Sequence, residues 1–255
     1  MKSIVQLTVV IATYNADKSL SKALDSLLSQ KYQNWECLIV DGLSTDHTLE
    51  IIDDYEKKDD RIRHISEKDR GIYDAYNKGW RLAKGEWIYY MGSDDALTED
   101  GLLYHMKFAD DVNDNVGTLN GGIIRVTKDG RHRTMMCKGY FGSHQGMVMR
   151  KSAINELGGF NMEYKYLADF DMFVKMRDSH YDVINTNQIV AFFCAGGASE
   201  KLSNILLVFK EKLRILRKDK TCRTPLLITI KGTIRTLLGK MKHEMLKTSR
   251  LKHDF

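Results

Sequence analysis

The first part of the chain alternates short apolar runs with segments in which apolar residues recur at helical spacing. A β-rich run covers 5–12, and leucine and alanine then repeat an i, i+3, i+4 pattern over 20–28. The same order of run and helical segment follows over 36–55 and 61–83, before a further apolar run at 87–91. Such runs predict strands, and such periodicity predicts helices. Repeated strand-then-helix units predict an α/β fold whose sheet is mostly parallel and doubly wound.

The pattern changes in the second half of the chain. Two β-type runs, 116–127 and 133–137, flank the turn sequence Lys-Asp-Gly-Arg and predict a hairpin. The further predicted elements are a strand at 147–149, helices at 152–157 and 167–178, and a strand at 184–193. The α/β domain is therefore expected to extend to about residue 195.

The segment 200–255 differs from the rest of the chain in charge. It carries 15 Lys and Arg against 5 Asp and Glu, whereas the whole chain has 39 against 34. Apolar residues recur every three or four positions between the basic residues, before and after Pro225. This pattern predicts two amphipathic helices, the second of which begins near the proline. We therefore predict an α/β domain over 1–199 and a basic amphipathic helical extension over 200–255.

The extension has two candidate partners that the sequence does not separate. Its apolar stripes could pack on the α/β domain, or they could lie on an anionic membrane surface with Lys and Arg at the headgroups. Nucleic-acid binding is not expected, because no recognition motif accompanies the basic charge.

Cysteine usage and hydropathy indicate the compartment. The four cysteines are far apart and form no Cys-x-x-Cys pair, so we expect reduced, buried thiols and a cytoplasmic protein. Polar residues interrupt the N-terminal apolar run, and no stretch of about 18 apolar residues occurs, so neither a signal peptide nor a membrane-spanning helix is expected. The cysteines are Cys37, Cys137, Cys194 and Cys222.

Polar residues follow the predicted strands at the edge where a parallel sheet binds its ligand. They are Thr13, Tyr14 and Asn15 after the first strand, Asp41 after the second, and Asp94 with Asp95 after the fourth. Carboxylates gathered at one edge repel each other unless a cation or donor groups of a ligand hold them, and a hard divalent metal does so. The alternative is that Asp41 and Asp94 only cap turns or helices, and the spacing leaves both interpretations open.

Six motifs occur in a fixed order along the chain. They are Val-Ile-Ala-Thr-Tyr-Asn at 10–15, Val-Asp-Gly-Leu-Ser-Thr-Asp at 40–46, Asp-Arg-Gly-Ile-Tyr-Asp-Ala-Tyr-Asn-Lys-Gly at 69–79, Gly-Ser-Asp-Asp-Ala-Leu at 92–97, His-Gln at 144–145 and Ala-Asp-Phe-Asp at 168–171. As an ordered set they resemble the family-2 glycosyltransferases of bacterial surface-polysaccharide synthesis. The resemblance covers about 4–195 and implies the GT-A fold, in which a Rossmann-like sheet binds a nucleotide sugar.

The resemblance assigns a donor site to the first three motifs. It implies that Asp41 binds the base or ribose of the nucleoside, with the Thr13-Tyr14-Asn15 loop beside it. Asp69 could accept a hydrogen bond from the base, and Arg70 and Lys78 lie where a loop meets a helix N-terminus, a setting that suits a diphosphate. Arg70 and Lys78 could instead be solvated surface charges.

The resemblance places a divalent metal, Mn²⁺ or Mg²⁺, near the fourth strand. The family's element usually begins with Asp or Asn where this chain has Gly92, which leaves Asp95 as the expected metal ligand and Asp94 facing the ribose or donor sugar. His144 is expected near the metal or diphosphate. A structural role for this lone histidine is the alternative.

Asp169 matches the family's Glu-Asp motif, although Ala168 replaces the Glu. Its implied role is the general base that takes the proton of the acceptor hydroxyl, which gives inversion at the anomeric carbon. Asp171 lies two residues further on and is the weaker candidate.

Together these residues predict an inverting, metal-dependent transferase acting in the cytoplasm or on the inner face of the plasma membrane. A UDP-sugar is the expected donor, by family frequency, and a glycan or lipid-linked sugar the expected acceptor. The alternative is a membrane-associated module that binds a nucleotide sugar without turnover, since two motifs are incomplete. A sugar nucleotidyltransferase or a dehydrogenase would need a glycine-rich signature after the first strand, where Thr-Tyr-Asn-Ala-Asp stands instead.

Overall fold

The computed structural model divides the chain into two compact units, Met1–Gly196 and Gly197–Phe255. Lys128 of the predicted hairpin turn, and the predicted second amphipathic helix beyond residue 238, lie outside the described residues. The structure describes residues 5–127, 129–137, 142–219, 221–235 and 237–238.

The first unit contains every strand and helix that the periodicity predicts within 1–199, with ends shifted by at most three residues. The strands are β1 (Leu7–Thr13), β2 (Trp35–Asp41), β3 (Ile62–Ser66), β4 (Trp87–Gly92), β5 (Ala96–Leu97), β6 (Val116–Val126), β7 (His132–Met135), β8 (Met147–Arg150) and β9 (Asp182–Cys194). The helices are α1 (Leu20–Leu28), α2 (Thr48–Lys58), α3 (Ile72–Leu82), α4 (Gly101–Ala109), α5 (Lys151–Glu156) and α6 (Ala168–Asp178). Of these, β5 and α4 were not predicted from the sequence.

One sheet runs through the first unit in the order β3-β2-β1-β4-β8-β6-β9-β5, with β7 paired to β6. The first four strands are parallel, and β8 then joins β4 and β6 by antiparallel pairing. The predicted hairpin is the antiparallel pair β6 and β7. The α/β class with a Rossmann-like parallel region is therefore confirmed. The second half extends this region with antiparallel pairs and with the parallel pair β6 and β9.

Helices cover both faces of this sheet. Alternate residues of β1 pack into a core with α1, α2 and α4, while Val10 faces α3 on the opposite side. A Cβ atom on Gly79 of α3 would lie 2.2 Å from Val10 Cγ1, so only glycine lets this helix approach the strand so closely. In the register, Thr13 lies beside Asp41 and Ala12 beside Gly92, so three strands end together.

Glu36 is a buried carboxylate at the opposite end of the same strands. It accepts hydrogen bonds from Thr8 Oγ1 at 2.8 Å, Arg63 Nε at 3.0 Å and Lys84 N at 2.6 Å. Burial by itself raises the pKa of Glu36, but these donors outweigh it and hold the pKa below its ordinary value. The ionised side chain therefore links the first three strands to the segment before β4.

Replacing Glu36 by glutamine is expected to lower the free energy of unfolding at pH 7 by about 1–3 kcal/mol, because Arg63 loses its counter-charge. Because the folded-state pKa is depressed, the carboxylate stabilises the fold above its unfolded pKa of about 4.3. This contribution disappears as the pH falls through the folded pKa. Urea unfolding at pH 7 and pH 3 measures both effects.

Glu50→Gln is the matched control, because the exposed Glu50 pairs with the exposed His47. It should change the free energy of unfolding by less than about 0.5 kcal/mol. Equal losses in the two variants, or a Glu36→Gln loss that persists undiminished at pH 3, would show that the Glu36 network does not stabilise the fold electrostatically.

The second unit begins with two short 3-10 turns, Ala198–Glu200 and Leu202–Asn204, and continues into α7 (Ile205–Lys218). A further helix covers 225–235 and 237–238, with Pro225 in its first turn as predicted. Neither helix among the described residues is both long and apolar enough to cross a bilayer.

Candidate active site

The loops that follow β1 and β2 are joined by hydrogen bonds. Asn15 N donates to Ser44 Oγ at 2.8 Å, and Thr45 N donates to Asn15 Oδ1 at 2.8 Å. Asn15 adopts a φ of 50°, a left-handed conformation that asparagine tolerates. Thr13 is buried, and its hydroxyl has no hydrogen-bond partner among the described residues, whereas Tyr14 is 63% exposed. The predicted Thr13-Tyr14-Asn15 segment is thus a fixed loop with one exposed aromatic ring.

Asp41 ends β2 and is completely buried. Its carboxylate accepts hydrogen bonds from the Ser44 hydroxyl, from Ser44 N at 3.0 Å and from Ser66 Oγ at 2.7 Å. Both carboxylate oxygens therefore hold the surrounding loop, as the turn-capping interpretation expected. In this conformation Asp41 holds the loop after β2 and the end of β3 through Ser44 and Ser66.

Asp69 lies across from the glycine that follows Asp41. Its Oδ1 accepts a hydrogen bond from Gly71 N at 2.8 Å, which fixes the side chain. A Cβ atom on Gly42 would lie 2.7 Å from Asp69 Oδ2 and 3.5 Å from Tyr14 Cδ2. Glycine at position 42 therefore lets Asp69 and the Tyr14 ring approach each other, which sequence spacing did not show.

The two predicted phosphate-binding cations are placed differently. Arg70 is exposed, with its guanidinium 3.5 Å from Asp74 Oδ1 and its backbone N donating to Asp74 Oδ2 at 3.1 Å. Lys78 is largely buried and donates to Lys68 O at 2.7 Å, with Glu67 Oε1 at 2.9 Å. Lys78 thus braces the loop that carries Asp69, while Arg70 remains accessible to an anionic ligand.

Asp95 lies just beyond the end of β4 and is 2% exposed. Its oxygens accept hydrogen bonds from Gly92 N at 3.2 Å and from Cys194 N at 3.0 Å. Burial, with a smaller effect from the neighbouring Asp94 charge, raises the pKa of Asp95 to about 6. A carboxylate with a pKa raised in this way gains most from a bound cation.

The absence of a side chain at position 92 brings the two carboxylates together. A Cβ atom there would lie 2.8 Å from Asp95 Oδ2 and 3.1 Å from Asp94 Oδ1. Both carboxylates therefore lie close to the position that a Cβ atom of residue 92 would occupy. The residue that departs from the family's usual motif is the one that leaves them this room.

Asp169 lies in the first turn of α6, and three donors hold its carboxylate. Tyr73 Oη donates to its Oδ1 at 2.8 Å, Phe170 N donates to the same oxygen at 2.9 Å, and His144 Nδ1 lies 3.0 Å from Oδ2. Burial by itself raises the pKa of Asp169, but the His144 and Tyr73 interactions outweigh it and lower the pKa. Asp169 is therefore a fixed and ionised carboxylate.

His144 lies between the two groups of carboxylates. Its Nδ1 faces Asp169, and its charge lowers the pKa of Asp95. A histidine whose Nδ1 is oriented by a carboxylate presents Nε2 to a metal or an anion. The buried Tyr76 ring lies 6.0 Å from the His144 ring, and its hydroxyl has no hydrogen-bond partner among the described residues.

The carboxylate pair and the histidine suit a divalent metal, since carboxylate oxygens are hard ligands and imidazole suits Mn²⁺. Asp95 and His144 are not part of a compact three-ligand group in the described residues. The remaining ligands would come from water and the donor's phosphates, as is usual for such ions. One compact group of ligand atoms, within 4.8 Å of one another, does occur elsewhere, at Asp53, Glu56 and His64 on α2 and β3.

The structure thus separates the predicted residues into two groups on the same edge of the sheet. One group contains Tyr14, Asp41 and Asp69, and the other contains Asp95, His144 and Asp169. Asp171 belongs to neither group, because it is buried and pairs with Lys175 at 3.1 Å. The partners that the sequence did not reveal are Ser44, Ser66, Tyr73 and Cys194. Ser44 and Tyr73 lie inside the motifs at 40–46 and 69–79, which is the only signal that the sequence offered for them.

Residues 8–176 match the family described as Glycosyl transferase family 2. A chondroitin synthase of Escherichia coli is 29% identical over 209 residues, which are 74% of this chain and 30% of that protein. The solved structure of S. aureus TarS 1-349 in complex with UDP-GlcNAc has a TM-score of 0.68 at 18% identity, with 91% of this chain and 71% of that chain covered.

Mannosyltransferase PcManGT from Pyrobaculum calidifontis, in complex with GDP-Man and Mn²⁺, also has a TM-score of 0.68, at 16% identity. That comparison covers 98% of this chain and 81% of that chain. The family match spans more than half of the chain, and both solved structures share its fold. The chain therefore belongs to glycosyl transferase family 2 and is a glycosyltransferase with the GT-A fold.

Proposed function

We propose that this enzyme is an inverting, metal-dependent transferase of cell-surface polysaccharide biosynthesis. It moves a sugar from a nucleotide sugar, a UDP-sugar in the first instance, to a hydroxyl of a glycan or lipid-linked acceptor. The observation that carries the proposal is the placement of the fixed Asp169 carboxylate beside His144, which also acts electrostatically on Asp95. The motif resemblance and the chondroitin synthase relative support a glycan product.

The donor binds along the carboxyl edge of the parallel strands. The Tyr14 ring, Gly42 and Asp69 form the wall for the base, and Asp41 holds that wall through Ser44. Arg70 is the accessible cation for the diphosphate. Two solved structures support a nucleotide sugar as the donor. TarS is in complex with UDP-GlcNAc, and PcManGT is in complex with GDP-Man.

Asp95 and His144 would hold the divalent metal, with Asp94 directed to the ribose or sugar. When bound, the metal supplies positive charge that offsets the charge developing on the departing diphosphate. PcManGT, which carries Mn²⁺, supports metal use in this fold.

The acceptor hydroxyl loses its proton to a carboxylate oxygen of Asp169. The hydroxyl oxygen then forms the new bond to the anomeric carbon as the bond to the diphosphate breaks, and the nucleoside diphosphate leaves with the electron pair. Attack from the face opposite the leaving group inverts the anomeric configuration. The lowered pKa of Asp169 keeps it ionised at neutral pH, as this role requires.

Thermal unfolding against UDP, GDP, dTDP and CDP, each with and without Mn²⁺, tests the donor assignment. At a ligand concentration about 100 times Kd, mass action stabilises the fold by about 2.7 kcal/mol. For a protein of this size, that is a rise in Tm of roughly 5–10 °C. We expect this rise with UDP and Mn²⁺ together, and no rise with any nucleotide would overturn the donor site.

A binding module without turnover is the second candidate, because Ala168 and Gly92 depart from the family's motifs. Slow donor hydrolysis in the presence of Mn²⁺ or Mg²⁺ distinguishes the two: an enzyme releases sugar, and a binding module only shows the thermal shift.

We further propose that 1–199 is the catalytic domain and 200–255 the helical extension, and that the enzyme works in the cytoplasm at the inner face of the plasma membrane.

A further inference from the structure

The helix formed by 225–235 and 237–238 carries its large apolar side chains on the outside. We call Leu226, Leu227, Ile230, Ile234, Leu237 and Leu238 the outer face. At about 100° per residue they occupy one arc of about 120° on the helix surface. Their exposed fractions run from 37% for Leu237 to 59% for Leu238.

The opposite side of the same helix carries four small residues, together with Ile228, which is 43% exposed. Thr229 is fully buried, and Pro225, Gly232 and Thr233 are half-buried. A Cβ atom on Gly232 would lie 3.2 Å from Lys212 Nζ of α7, so the helix packs closely through this side. A helix of a water-soluble domain buries its leucines and exposes its small polar residues. This helix does the reverse.

Basic residues lie beside the outer face. Lys231 and Arg235 are exposed and follow the outer face around the helix. Four of the six exposed positions of α7 are also basic, at Lys210, Arg214, Arg217 and Lys218, and the other two are Leu206 and Leu207. The segment 200–255 as a whole carries 15 Lys and Arg against 5 Asp and Glu. An apolar arc flanked by cations is the composition that suits an anionic lipid surface.

We infer that the outer face is a membrane-docking surface that lies in the headgroup boundary of an anionic bilayer, with Lys231 and Arg235 against lipid phosphates. The choice of a bilayer rests on the proposed lipid-linked acceptor, which the docked enzyme would meet there. A symmetric contact between two copies would bring these cations near their own counterparts, which disfavours a second copy as the occupant.

Co-sedimentation of the full-length protein with vesicles tests this inference without any donor. Vesicles are made of phosphatidylcholine alone, or of phosphatidylcholine and phosphatidylglycerol in equal amounts. We expect binding to the anionic vesicles, weak binding to the neutral ones, and release as salt is raised. A double variant, Leu227→Glu with Ile234→Glu, should bind at least about tenfold less. Lys231→Ala and Arg235→Ala should each lower binding about fivefold.

Leu82→Glu is the matched control, because Leu82 on α3 is 48% exposed and Leu227 is 50% exposed. It should bind vesicles as the wild type does. The double variant should keep the nucleotide-induced thermal shift and donor hydrolysis in solution. If the double variant keeps the thermal shift and donor hydrolysis but no longer binds vesicles, the docking surface is supported. If the wild type itself shows neither the thermal shift nor donor hydrolysis, the proposed function is overturned, and the docking surface is not affected.

Two results would overturn the docking surface. One is equal vesicle binding by the wild type and the double variant. The other is a wild-type dimer in light scattering that the double variant converts to a monomer, with no vesicle binding by either. The second result would assign the outer face to a contact between copies.

Discussion

Asp169→Asn is expected to lower the rate of sugar transfer by about 10²–10⁴-fold, the usual contribution of a general base. The amide has nearly the same shape as the carboxylate, so Tyr73 and Phe170 N can still donate to its oxygen, and the fold should persist. What it loses is the ability to take the proton of the acceptor hydroxyl. Initial rates of transfer, measured with saturating donor and metal, report the loss directly.

The nucleotide-induced rise in Tm should be preserved in Asp169→Asn, because the role proposed for this residue is to act on the acceptor and not to bind the nucleotide. Asp171→Asn is the matched control on the same helix. Asp171 pairs with Lys175, so this change should affect stability more than transfer. Wild-type transfer by Asp169→Asn would remove it as the base, and a large loss in Asp171→Asn alone would move the assignment to that residue.

Asp95→Ala is expected to reduce transfer by at least about 10²-fold, because the charge on the departing diphosphate is then less well compensated. The effect should have a metal signature: UDP alone should still raise the Tm, while the additional rise produced by Mn²⁺ should disappear. Burial and Asp94 make the ionised Asp95 side chain unfavourable in the metal-free fold, so its removal should leave the protein folded.

Glu99→Ala provides the comparison for Asp95→Ala. Glu99 is an exposed carboxylate four positions further along and pairs with Lys31 at 3.3 Å. Its loss should alter neither transfer nor the Mn²⁺ effect. If Asp95→Ala kept the full Mn²⁺-dependent rise in Tm, the metal would have to be held elsewhere, and Asp53, Glu56 and His64 would be the residues to test next.

Most strands and helices of the first unit are visible in the sequence, because burial on a sheet face or a helix stripe imposes a local period. Leu20, Leu24 and Leu27 mark the buried side of α1 in both the sequence and the structure. Helix α4 was missed, because Leu103, Tyr104 and Phe108 are apolar residues outside its buried side and obscure the stripe. The strand β5 is only two residues long, too short to show a period.

The residues at the sheet edge were also predictable, because the carboxyl ends of parallel strands meet there whatever the side chains are. The order of strands therefore predicts that Asp41 and Asp95 lie at the same edge of the sheet. It could not show that the oxygens of Asp41 are both held by Ser44 and Ser66, or that Asp95 accepts a hydrogen bond from Cys194 N. Those contacts depend on side-chain directions in the folded chain.

The pairing of the chemical groups depends on contacts between distant parts of the folded chain. Asp169 is 96 positions from Tyr73 and 25 positions from His144, and hydrogen bonds between such distant residues leave no local period in a sequence. The direction of the apolar arc at 225–238 was likewise open, since an amphipathic pattern is the same whether its leucines face a core or a solvent. Periodicity reports that one side of a helix is apolar, and the packing of the folded chain decides what that side faces.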